Sequence, residues 1–153
     1  MSRLPRGVIV AVALVALCSS HADVPPNDPH PPPASRPVNW KIQLFDTDHR
    51  SAGTLYVRIT IERGTSCLAS FGRDALLLRV DRKIELSKNF RISETPVAKI
   101  EKGRVSMDLT GGDCDNYVLL EGTMSNDGGA VGTAKSFGIS FSKPLGTFVA
   151  TVP

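Results

Sequence analysis

Three acidic clusters and three cysteines are the residues of this 153-residue sequence whose types and spacing could do chemistry. Asp46-Thr47-Asp48-His49, Asp113-Cys114-Asp115-Asn116 and Asn126-Asp127 each offer oxygen donors of the kind a hard cation such as calcium takes. None has the spacing of an EF-hand loop, and Asp and Asn are also the residues that close turns through local hydrogen bonds. His49 is the one histidine beyond the proline-rich stretch, so neither a zinc centre nor a Ser-His-Asp triad has a full set of partners in view. There is no GxSxG, no P-loop and no GxGxxG after a strand. The expectation is a protein that is not an enzyme, with no cofactor and no catalytic or metal residue.

The cysteines point to an address instead. Residues 1–22 hold Arg3, Arg6 and an unbroken apolar run at 8–17. Ten helical residues span about 15 Å, roughly half a bilayer core, which suits an export signal rather than a membrane span. Ser20-His21-Ala22 predicts cleavage after Ala22. Cys18 ends the apolar run, and Val15-Ala16-Leu17-Cys18 resembles a bacterial lipobox, with Leu17 where a small residue is usual. Lipidation at Cys18 is therefore the alternative, and it is the one route by which this protein would meet a membrane. The expected location is periplasmic or secreted, or the outer membrane if Cys18 is lipidated. Cys67 and Cys114 then remain as an even pair in an exported chain, which predicts a disulfide.

Removing the leader changes the charge arithmetic. Of 18 basic side chains, Arg3 and Arg6 leave with it, so 16 remain against 15 acidic ones, a net +1. A nucleic-acid binder would show a concentrated basic face, so nucleic acid is not an expected partner. Residues 23–37 contain seven of the 11 prolines and read as a polyproline-rich linker. Residues 38–153 form a single domain, and 41% hydrophobic content argues against a disordered chain.

The elements that must position these residues are strands. Leu55, Val57, Ile59 and Ile61 alternate with Tyr56, Arg58, Thr60 and Glu62. Trp40, Ile42 and Leu44 alternate with polar residues, as do Val105, Met107 and Leu109 with Arg104, Ser106 and Asp108. Period two places each apolar set on one face of a sheet. Strands are predicted at 38–45, 54–62, 75–80, 84–92, 96–101, 104–110, 116–125, 130–141 and 146–152, with a helical turn within 66–74. Turns are predicted at 81–83 and 143–146, and Asn126-Asp127-Gly128-Gly129 is the strongest hairpin signal. Eight or nine strands with short connections predict an all-β fold, a small antiparallel up-and-down barrel. A two-sheet sandwich is the alternative. Gly122, Gly132, Gly138 and Gly146 favour a strongly curved sheet.

A tryptophan in the first strand, a short meander and one long-range cysteine pair together resemble the calycin group: lipocalins, avidin-like proteins and bacterial barrel-shaped protease inhibitors. Trp40 is the residue that carries the resemblance. The glycine two positions before that tryptophan in lipocalins is Val38 here, and no arginine follows Arg104. The resemblance implies a binding protein holding a small apolar ligand within the barrel. Trp40, Leu55, Val57, Ile59, Met107 and Leu120 are the candidate interior contacts. The alternative partner is an envelope protein, for instance a secreted hydrolase that the domain inhibits through loops 46–53, 63–74 and 111–116.

Overall fold

The computed structural model describes residues 37–153. The predicted leader, its cleavage site, Cys18 and all of the linker but Pro37 lie outside the described residues. Eight strands follow one another: β1 (Val38–Phe45), β2 (Ser51–Arg63), β3 (Leu76–Ile84), β4 (Val97–Glu101), β5 (Arg104–Asp108), β6 (Asn116–Met124), β7 (Ala130–Gly138) and β8 (Ser142–Thr151). Each pairs antiparallel with the next, and β8 returns to β1, with Leu44 opposite Phe148 and Ile42 opposite Ala150. The sheet is thus a closed up-and-down barrel, not a sandwich.

Alternation builds the interior. Trp40, Ile42 and Leu44 of β1 meet Leu55, Val57 and Ile59 of β2, Leu78 of β3, Val105 and Met107 of β5, and Val118 and Leu120 of β6. The indole Nε1 of Trp40 donates to the Gly128 carbonyl at 3.0 Å, tying β1 to the β6–β7 turn across one end. The first and last described residues lie at that end, where Pro37 and Pro153 line one surface groove. The connections 46–50, 85–96, 109–115 and 139–141 belong to the other end. Curvature comes partly from glycine: Gly122 and Gly132 face each other across β6–β7, and a Cβ on Gly132 would run into the Glu121 carbonyl oxygen.

Four expectations need correction. Residues 84–92 are not a separate strand: Ile84 ends β3, and 85–92 are not strand. The chain breaks from β3 at Glu85, whose φ is 48°, and turns again at 87–90 through Phe90 N–H to Ser87 O. The apolar residues that suggested alternation sink into the barrel mouth instead, with Phe90 buried and Leu86 and Ile92 packed beside it. Residues 81–83 are not a turn. They continue β3 through a bulge at Asp81, which has no partner between Arg82 opposite Tyr56 and Val80 opposite Val57. Residues 142–145 are also strand. Pro144 pairs with β7 before β1 joins β8 at Thr147, so it has a neighbour on one side only, a place a strand can give to proline. Finally, Ile61 does not share the face of Leu55, Val57 and Ile59. A second irregularity lets Thr60 Oγ1 donate to the Leu77 carbonyl at 3.1 Å, and Ile61 is turned out to 63% exposure.

A second hydrophobic cluster lies outside the barrel. Val97 and Leu119 point outward, opposite in phase to their inward neighbours Ala98 and Leu120. The β2–β3 connection folds back over them as a strap, placing Phe71 and Ala75 on Val97 and Leu119 with Leu68 and Phe137 at the margin. The predicted helical turn is the short 3-10 turn Gly72–Asp74 within this strap.

Phe90 closes the mouth at 3% exposure, so Phe90→Ala should cost about 3–5 kcal/mol of unfolding free energy. Urea denaturation should show a lower midpoint with an unchanged slope. A loss under about 1 kcal/mol would mean that the mouth is not sealed by this ring.

Candidate functional site

The interior comes first, because it is where a ligand was expected. Trp40, Leu55, Val57, Ile59, Met107 and Leu120 all lie together in the barrel, none more than 2% exposed. They belong to one buried cluster with Phe148, Leu145 and Phe90. Side chains occupy the space they enclose. Barrels of about eight strands either hold one ligand or are filled by side chains, and this interior is of the second kind.

The surface over the strap is more organised. Cys67, near the start of the strap, and Cys114, between β5 and β6, form the predicted disulfide, with Cα atoms 5.3 Å apart. Both cysteines are exposed, so the bridge sits on the surface and fastens the strap from above. Beneath it lies Asp108, fully buried although alternation places it on the outer face of β5. Its carboxylate accepts from Ser66 Oγ at 2.7 Å, from the Thr110 N–H at 3.0 Å and from Thr110 Oγ1 at 2.9 Å. Thr110 Oγ1 accepts in turn from the Val118 N–H at 3.1 Å. Three donors satisfy a buried carboxylate that has no cation beside it. Lys99 Nζ donates to the Ser70 carbonyl at 3.2 Å from the opposite side of the strap.

Beside the bridge is an aromatic surface. Tyr117 and Phe137 stack with ring centroids 4.9 Å apart, and the Tyr117 hydroxyl donates to the Cys114 carbonyl at 2.7 Å. The β7–β8 turn follows directly, held by Gly138 N–H to Phe141 O. At this turn Ile139 is 91% exposed and Phe141 46%. Lys135 borders the patch, 5.7 Å from the Phe137 centroid and paired with Glu121. Sequence reasoning missed this turn because it ran β7 on to residue 141. The signal it passed over was Gly138 followed by two large apolar residues within three positions.

The acidic clusters serve turns. Asp46 Oδ1 accepts from the N–H groups of Asp48 and Arg50, each at 2.9 Å. Asp127 accepts from Ser125 Oγ and from the Gly129 N–H, and these bonds hold its carboxyl below the usual range. Asp113 pairs with Arg91 at 3.5 Å. Among the described residues no three His, Cys, Asp or Glu side chains converge as a metal site.

Comparison with protein-family models, with curated proteins and with solved structures finds no match to this chain.

Two variants test the strap. Asp108→Ala leaves Ser66 and Thr110 without their acceptor and should cost about 2–4 kcal/mol by chemical denaturation. Replacing Cys67 and Cys114 together by serine should lower stability by up to about 4 kcal/mol and increase amide exchange in 65–75 more than in β1. Equal exchange in both segments would show that the bridge does not hold the strap.

Proposed function

We propose that this domain is an exported, non-catalytic binding protein that recognises a protein partner through its outer surface, at the end carrying the β7–β8 turn. The observation that carries this reading is the exposed pair Ile139 and Phe141 beside the Tyr117–Phe137 stack, set against an interior already filled. Exposed aromatic and aliphatic side chains on a braced frame are what protein interfaces use as anchors. The disulfide holds 111–116 and the strap in fixed relation to that turn, and such preorganisation lowers the ordering cost of binding. An inhibitor of a secreted hydrolase is one protein of this kind. The first-strand tryptophan inside an eight-strand closed barrel supports a place among calycin-like barrels.

Export rests on the leader at 1–22, and the disulfide is what an oxidising compartment maintains. Mass spectrometry of the mature N-terminus should show a chain starting at Asp23. A diacylated Cys18 would make the protein an anchored one instead.

The partner surface is tested with a photo-crosslinking amino acid in its native host. Placed at Phe141 it should give one dominant protein adduct, and placed at Lys41 it should give none. Ile139→Ser with Phe141→Ser should leave the melting temperature within a few degrees, as exposed positions do, and abolish that adduct. Recovery of a small apolar molecule by native mass spectrometry of host-purified protein would overturn this reading in favour of an interior ligand.

A further inference from the structure

The barrel closes unevenly. β3 is paired along its length with β2, from Ile84 opposite Thr54 to Leu76 opposite Arg63. Its other side meets β4 at two positions only, Leu76 with Ala98 and Leu77 with Val97. One further bond joins the Leu78 N–H to the Pro96 carbonyl at 2.9 Å. The chain before Pro96 then leaves β3 and follows β5 instead. Ser93 N–H reaches the Leu109 carbonyl, and Ser93 and Thr95 hydroxyls reach the Gly111 carbonyl. On the side away from β2, residues 79–84 therefore form a sheet edge with no strand beside it among the described residues. Leu86, Phe90 and Ile92 of the connection that follows turn their side chains into the core instead.

That edge is cationic. Residues 79–84 hold Arg79, Asp81, Arg82 and Lys83, a net +2. Asp81 is engaged by Arg58 at 3.0 Å, and Arg79 by Glu62 at 3.1 Å. The Arg82 guanidinium lies 5.8 Å from the Tyr56 ring. Among the described residues neither Arg82 nor Lys83 has a carboxylate partner.

We infer that the free edge of β3 is a second docking surface, one that takes an extended acidic segment of another protein by strand addition. The unpaired backbone groups of 79–84 supply the hydrogen bonds, and Arg82 and Lys83 supply the selectivity. The same charges reject other occupants. A second copy of this chain would set Arg82 and Lys83 against their own kind, and like charges placed opposite each other destabilise strand pairs. An apolar strand would strip water from both cations without replacing it. The bulge at Asp81 divides the edge and limits the added strand to a short one. In the order of eight strands β3 lies four positions from β7, so this surface is independent of the 139–141 face.

The experiment uses the mature protein and a fluorescent six-residue peptide of Asp and Val with Asp at its two adjacent central positions, one for the face of Arg82 and one for that of Lys83. The peptide should bind, and amide exchange in 79–84 should slow roughly tenfold, the mark of new backbone bonds. Methylating alternate peptide nitrogens along one edge should weaken binding at least about tenfold, as should Arg82→Glu with Lys83→Glu. The matching Lys-Val peptide should not bind, and Ile139→Ser with Phe141→Ser should change nothing. If the charge-reversed variant fails to fold, the methylated peptide still decides, because it uses unaltered protein. Unchanged exchange in 79–84, or equal binding of the methylated peptide on both of its edges, would overturn the proposal.

Discussion

The pairing of β8 with β1 is the constraint on which the rest of the structure depends. Once Leu44 faces Phe148 and Ile42 faces Ala150, the sheet has a fixed circumference, and every inward side chain competes for one volume. Large residues on β1, β2 and β6 are accommodated because β4, β7 and β8 contribute Ala98, Ala130, Ala134 and Ala150. Gly122 and Gly132 let β6 and β7 bend beneath Phe148, whose ring occupies the space a Cβ on Gly122 would need. A cavity of useful size would require several of these small residues to face one another. Each of the alanines Ala98, Ala134 and Ala150 instead has a large inward neighbour on an adjoining strand, Met107, Leu120 and Ile42, and recognition falls to the outside.

The outside is not uniform. Where the strap lies, the domain has a second packed layer with its own buried aromatic ring, its own buried carboxylate and a covalent fastening. A sheet that presents Val97, Leu119 and Asp108 outward would otherwise expose apolar area and lose nothing by leaving the aspartate in water. The strap covers all three, and Ser66 and Thr110 take over the hydrogen bonding that water would have provided. The Cys67–Cys114 bridge is therefore a device of the outer layer. The barrel beneath is held by its own ladder.

The legible part of the sequence was the part where one residue's environment is set by its immediate neighbours. Leu55, Val57 and Ile59 alternate, and the structure places them on one inner face. Leucine, valine and tryptophan in β1, β2, β5 and β6 sufficed for the fold class, and two cysteines for the bridge. Illegible positions were those decided by a distant segment. Asp108 falls on the outer face by alternation, but its burial depends on Ser66, 42 residues earlier, in a connection that folds back over it. Leu86, Phe90 and Ile92 look like a strand face because a plug and a strand make the same use of apolar spacing. Asp81-Arg82-Lys83 looks like a turn because a charged edge and a turn share composition. Ile139 and Phe141 were read as strand because no local rule distinguishes an apolar hairpin tip from the strand that leads to it.

The grouping of Pro37 with Pro153 has a geometric outcome. Pro37 and Pro153 line a common groove at the Trp40 end, and the 139–141 turn belongs to the opposite one. Whatever precedes Pro37 attaches to the base of the cylinder, and the aromatic tip is its far pole. Among the described residues, Pro37 and the aromatic tip therefore sit at opposite poles of the cylinder. That opposition follows from the even number of strands: an even meander brings its last strand home to where the first began, and puts the β7–β8 turn on the other rim.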